Sequence, residues 1–133
     1  MPSDDELRSV IHGLQPQHGE LYLAVHRLIV GTVPDVRFEV DLVDGSTGYG
    51  ARQYGYGGWG MAALQAHKGW VALHLMQGAA LPDPDGVLQG GGKQLRHVKL
   101  RSMDEFAANE ERLRAIVGAA RWHLEAPATA LPS

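Results

Sequence analysis

Residues 61–76, MAALQAHKGWVALHLM, read as two strands joined by a tight turn. Lys68-Gly69 supplies a tight turn between them. In the second arm Val71, Leu73 and Leu75 share one face, while Trp70, Ala72, His74 and Met76 share the other. Both faces are largely apolar, which places this arm inside a sheet, covered on both sides or nearly so. Strands are therefore predicted over 61–67 and 70–76, with Trp70 and Leu73 largely buried on opposite faces.

Working upstream, the segment 48–60 reads GYGARQYGYGGWG. Thirteen of the 17 glycines lie between Gly45 and Gly92, and five of the nine aromatics lie between Tyr49 and Trp70. Rings such as Tyr49, Tyr54, Tyr56 and Trp59 must be buried or stacked to offset their exposure, so this is no solvated linker. A strand is predicted over 51–56. Downstream, Pro82-Asp83-Pro84-Asp85-Gly86 is a turn with room for one helical turn after it. Gly90-Gly91-Gly92 makes a flexible or close-approach loop. A further strand over 95–101 puts Arg96, Val98 and Leu100 on one face and His97, Lys99 and Arg101 on the other.

Helices flank this β region. Ser3-Asp4-Asp5-Glu6 has the form of a capping box, and Leu7, Val10, Ile11 and Leu14 follow at helical spacing until Gly13 and Pro16 close the helix. A longer helix is predicted over 17–30, with Leu21, Ala24, Val25, Leu28 and Ile29 as its apolar stripe. A second capping box, Ser102-Met103-Asp104-Glu105, opens a terminal helix with Phe106, Leu113, Ile116, Val117, Ala120 and Leu124 on its buried side. Residues 36–44 read two ways. Val36, Phe38, Val40 and Leu42 alternate with Arg37, Glu39, Asp41 and Val43 as in a strand, yet Pro34-Asp35 is a good first helical turn. The order predicts an α+β fold: a two-layer sandwich with helices packed on one face of an antiparallel sheet. One domain is expected over 1–124, followed by a small, proline-punctuated, disordered tail over 125–133.

Composition narrows the function classes. The 133 residues contain no cysteine, which removes thiolate nucleophiles, disulfide scaffolds and iron–sulfur ligation together. The start, MPSDDELRS, is too acidic for a signal or transit peptide, and no apolar run approaches the ~20 residues of a membrane helix. A net charge of −3 argues against a nucleic-acid surface. The expectation is a cytoplasmic binding domain without nucleic-acid or membrane partners.

Two strings carry a resemblance. The first comprises Gly48-Tyr49-Gly50, Gln53-Tyr54-Gly55, Trp59-Gly60-Met61-Ala62-Ala63-Leu64, His67-Lys68 and Trp70-Val71. The second comprises Gly78-Ala79, Leu81, Asp83-Pro84-Asp85-Gly86, Leu88, Gly90, Gly92-Lys93 and Arg96-His97-Val98-Lys99-Leu100-Arg101-Ser102. Over roughly residues 17–122 the chain resembles the YdhG-like family of small bacterial domains of unknown function. That resemblance implies helices packed on an antiparallel sheet, frataxin-like in outline, and it tips 36–44 toward a short helix. It also implies iron as a candidate cargo, because one member is described as a frataxin-like iron chaperone. It offers no catalytic residues.

Individual motifs are less informative. Gly55-Tyr56-Gly57-Gly58-Trp59-Gly60 matches G-x-G-x-x-G, but the hairpin turn at Lys68-Gly69 leaves no room for the helix of a dinucleotide-binding unit. Gly92-Lys93 lacks the first glycine and the following Ser or Thr of a phosphate loop. His12, His18, His26, His67, His74, His97 and His123 show no H-x-H, H-x-x-x-H or H-E-x-x-H spacing, and His74 reads as an ordinary satisfied neutral histidine. Ser46 and Ser102 lack a nucleophile elbow, so no catalytic residue is assigned.

Two binding surfaces remain. Glu39, Asp41 and Asp44, with Asp35 and Glu20, make an acidic face whose oxygen donors suit a hard cation or ferrous iron. A solvated acidic edge is the plain alternative. Lys93 and Arg96, beside the Gly90–Gly92 loop and with Tyr54 and Trp59 along the edge, outline a pocket for an anion or small molecule. Its plain alternative is the charged outer face of a strand. A non-enzymatic binding domain that handles iron is the leading expectation, and a small-molecule or anion-binding module is the second.

Overall fold

The computed structural model describes residues 4–43, 45–50, 60–83 and 86–130. Within them, α1 (Asp4–His12), α2 (Pro16–Thr32) and α3 (Met103–Ala130) pack on one face of a five-stranded sheet. The strands are β1 (Phe38–Asp41), β2 (Ser46–Tyr49), β3 (Ala62–Ala66), β4 (Val71–Leu75) and β5 (Arg96–Leu100). They lie in chain order and every neighbouring pair is antiparallel, so the sheet is a simple meander. The architecture is the α+β two-layer sandwich expected from the hairpin and the flanking helical patterns.

Period-two alternation decides which side chains meet the helices. Tyr49, Leu64, Leu73 and Leu75 are fully buried on the helix-covered face, with Val98 and Leu100 beside them. The opposing helices contribute Leu21, Tyr22, Val25 and Ile29 from α2 and Leu113 and Val117 from α3. α2 is the central helix, and two polar groups in it are matched to sheet partners. Tyr22 Oη lies 2.7 Å from Thr47 Oγ1 and donates to Leu64 O at 3.1 Å. His26 Nδ1 lies 2.8 Å from Tyr49 Oη, and its ring meets Phe38 edge-on. Each buried polar atom in these pairs therefore has the partner that burial demands.

Helix ends follow local chemistry. Pro16 occupies the first turn of α2, where its missing N–H costs nothing. At α3 the Ser102 hydroxyl accepts the Glu105 amide at 3.1 Å, as in a capping box. The Glu105 carboxylate reaches one residue further back and accepts the Arg101 amide at 3.2 Å. The capping sequence at Ser3 lies outside the described residues, as do the strand expected over 51–56 and the rings Tyr54, Tyr56 and Trp59.

The structure departs from the sequence reading at several points. Residues 38–41 form strand β1, not the short helix that the resemblance favours: the alternation prevails because Phe38 and Tyr49 pair across the ladder while Glu39 stays in solvent. β2 has no counterpart in the sequence reading. Trp70 and Leu73 lie on opposite faces as expected, Leu73 fully buried and Trp70 partly exposed. The helical turn of the proline loop precedes it at Gly78–Ala80, since the Asp83 carboxylate instead accepts the amides of Val87 at 2.8 Å and Leu88 at 2.9 Å. α3 also runs on to Ala130, past the boundary at Glu125.

Candidate functional site

Among the described residues the sheet's second face carries no helix, and the register assigns its residues. In one row lie Glu39, Gly48, Ala63, His74 and His97, from β1 across to β5. In the next row lie Asp41, Ser46, Gln65, Ala72 and Lys99. Small residues thus occupy the middle, carboxylates the β1 edge, and imidazoles with a lysine the β4–β5 side. Three strand spacings separate Glu39 from His74, about 14 Å.

At the β4–β5 side, His74 and His97 stand directly opposite each other, with ring centroids 6.0 Å apart. His74 Nε2 is withdrawn from solvent and has no hydrogen-bond partner. The ordinary satisfied histidine expected there is thus not what the structure contains. Burial holds the His74 pKa below its usual 6.5, and the neighbouring His97 and His67 push it in the same direction. His74 is accordingly a neutral imidazole at physiological pH, with a lone pair or an N–H left unused. Beyond it, His67 stacks on Trp70 with centroids 5.0 Å apart, and Lys99 Nζ sits 4.7 Å from the Trp70 ring centroid. Those contacts account for Trp70's partial cover: its ring is shielded by side chains of its own sheet.

Of the acidic residues singled out, Glu39 and Asp41 project from the same side of the β1 edge and are exposed. Asp41 Oδ1 accepts the Val43 amide at 2.9 Å, which stabilises the β1–β2 turn. Asp44 lies outside the described residues. Asp35 forms an ion pair with Arg121 of α3 at 3.5 Å, and Glu20 is exposed on α2 in the helix layer. The acidic face is therefore reduced to Glu39 and Asp41 among the described residues, where no three His, Asp or Glu converge in an arrangement able to hold a metal.

Of the anion-pocket residues, Lys93 is exposed and Tyr54 and Trp59 lie outside the described residues. Arg96 stands opposite Leu75, on the helix side of β5, and Lys99 is on the other. The Arg96 guanidinium donates to the carbonyls of Gly92 and Leu95, holding the glycine loop. Its stem packs so tightly on Gly78 that a Cβ there would collide with Arg96 Cβ and Cγ. The basic groups that do share the helix-free face are His97 and Lys99.

The constellation of His67, Trp70, His74, His97 and Lys99 was not legible as a site in the sequence. Alternation placed His74 with Trp70, and His97 with Lys99, but only the β4–β5 register brings the two sets together. None of the described helices is long and apolar enough to cross a membrane. Comparison of the chain with protein-family models, with curated proteins and with solved structures finds no match.

Proposed function

We propose that the protein is a non-enzymatic binding domain of YdhG-like type that handles a metal ion on the helix-free face of its sheet. The observation that carries the reading is the segregation of side chains: helices take up the apolar face, while Glu39, Asp41, His74 and His97 gather on the other. Carboxylate oxygens suit ferrous iron or manganese, and neutral imidazole suits the later transition metals. The described groups come in pairs, with no third ligand, so an ion on this face keeps water in its remaining positions and exchanges readily. Such a site fits carriage of a metal better than its permanent retention.

Anaerobic calorimetry with ferrous iron and with manganese tests the reading. Weak binding is expected, and replacing Glu39, Asp41 and Asp44 with the matching amides should abolish it. The thermal midpoint should barely move, because exposed carboxylates contribute little to stability. No heat with either ion in the intact chain removes the iron reading.

A second reading is supported by Lys99, held over Trp70 two residues from His97 on the same face. A planar anion could lie against this side of the sheet. A thermal-shift screen of phosphates, nucleotides and carboxylates tests it, and hits that survive Lys99→Ala and Arg96→Ala unchanged would exclude it.

A further inference from the structure

We propose that His74 and His97 form a two-imidazole chelate for a borderline divalent ion, zinc, nickel or copper(II), on the helix-free face of the sheet. The proposal rests on the metal-handling reading for its setting and deepens it by naming the ion class and the ligands.

Geometry comes first. With metal–nitrogen bonds of about 2.0–2.1 Å, two imidazoles on a tetrahedral ion have ring centroids about 5.2 Å apart. The observed 6.0 Å needs less than about 1 Å of closure, within reach of side-chain torsions. The two residues sit on adjacent hydrogen-bonded strands, so the backbone holds them in place and little is lost in ordering them.

The second observation is the orphaned Nε2 of His74. Buried polar atoms nearly always have a partner, and one without a partner calls for an explanation. A coordinated ion supplies it. Ala63 lies opposite His74 on β3, and Ala72 is its same-face neighbour on β4.

The charged and titratable neighbours set the strength. His67 and Lys99 flank the pair on this face, and the carboxylates of β1 lie three strands from His74. Lys99 is drawn toward Trp70, which takes its charge away from the imidazole pair. The site therefore follows the order of imidazole affinity, copper(II) above nickel and zinc, with manganese excluded.

The test is a nickel titration of the full chain without an added histidine tag, followed by calorimetry and by NMR of the imidazole protons. Nickel should broaden the His74 and His97 signals together. His74→Gln and His97→Gln should each weaken binding by about tenfold or more, while His67→Gln changes it little. Absence of heat in the intact chain, or affinity that survives both substitutions at the pair, overturns the proposal. Should either glutamine variant fail to fold, the NMR of the unaltered chain decides: broadening at His12, His18 or His123 with His74 and His97 sharp also overturns it. Manganese binding lost with the carboxylates while nickel ignores the pair would sink this proposal alone. Nickel on the pair with no ferrous or manganese binding would instead sink the iron reading.

Discussion

Thr47 Oγ1 and Tyr22 Oη, 2.7 Å apart, fasten the central helix to the middle of the sheet across 25 residues of sequence. Tyr22 donates its own proton to Leu64 O, so its oxygen accepts from the Thr47 hydroxyl. Neither side chain has any measurable exposure. Tyr22→Phe leaves the Thr47 hydroxyl stranded in the core and should cost about 1–3 kcal/mol. Thr47→Val should cost less, because Tyr22 keeps its bond to Leu64. The double variant should be more stable than the sum of the two losses, since it leaves no hydroxyl unpaired. Urea denaturation of the four proteins measures the coupling, and strict additivity would show that the two groups do not depend on each other.

Glycine substitutions separate close packing from mere absence of a side chain. Gly78→Ala drives a methyl group into Arg96 Cβ and Cγ, and overpacking of this kind costs about 1–3 kcal/mol. Gly48→Ala meets nothing within 4 Å, on a strand paired on both sides. It should be neutral or stabilise by about 0.4–1 kcal/mol, through reduced freedom of the unfolded chain. Thermal midpoints of the two variants should therefore move in opposite directions or by clearly unequal amounts.

His74 makes stability depend on pH in the acid direction. Burial and its histidine neighbours hold its folded-state pKa below 6.5, so the unfolded chain takes up a proton that the folded chain refuses. Its neutral form is fully accommodated above about pH 6.5, and stability falls as pH drops through that value toward the folded pKa. Replacing His74 with glutamine should flatten this limb of the profile. An unchanged acid limb in His74→Gln, followed by denaturant titration from neutral pH downward, would assign the loss to other groups.

The alkaline limb belongs to the buried tyrosines. Desolvation pushes Tyr22 up to about 12, partly offset by the Thr47 hydrogen bond. Desolvation raises Tyr49 well above 10, and the Tyr22 charge adds to it. An unfolded tyrosine releases its proton near 10, so stability is full below that pH and falls as pH rises beyond it. Tyrosinate absorbance from Tyr22 and Tyr49 should appear only in step with the loss of helical circular dichroism. Early ionisation of both in a still-folded chain would contradict the buried network.

The local signals in the sequence were those whose physics needs only near neighbours. Lys68-Gly69 between two apolar runs specified the β3–β4 hairpin, because turn geometry and alternation act within a few residues. Ser102 and Glu105 specified the start of α3 through a cap three residues long. Leu21, Val25, Leu28 and Ile29 specified the buried side of α2 by helical spacing alone.

What depended on distant partners waited for the tertiary structure. Ser46-Thr47-Gly48-Tyr49 has weak strand propensity and becomes β2 because β1 and β3 pair with it on both sides. Phe38–Asp41 balances a helical start against alternation, and the ladder to β2 decides for the strand. The candidate site follows the same rule. The sequence placed His97 with Lys99 on one side of a strand, which was correct and local, but left Glu39 and Asp41 between strand and helix. It could not place His74 opposite His97, because the two are joined through a loop whose length sets no register. Backbone pairing across the sheet made that juxtaposition, and with it the unpartnered imidazole nitrogen on which the metal proposal stands.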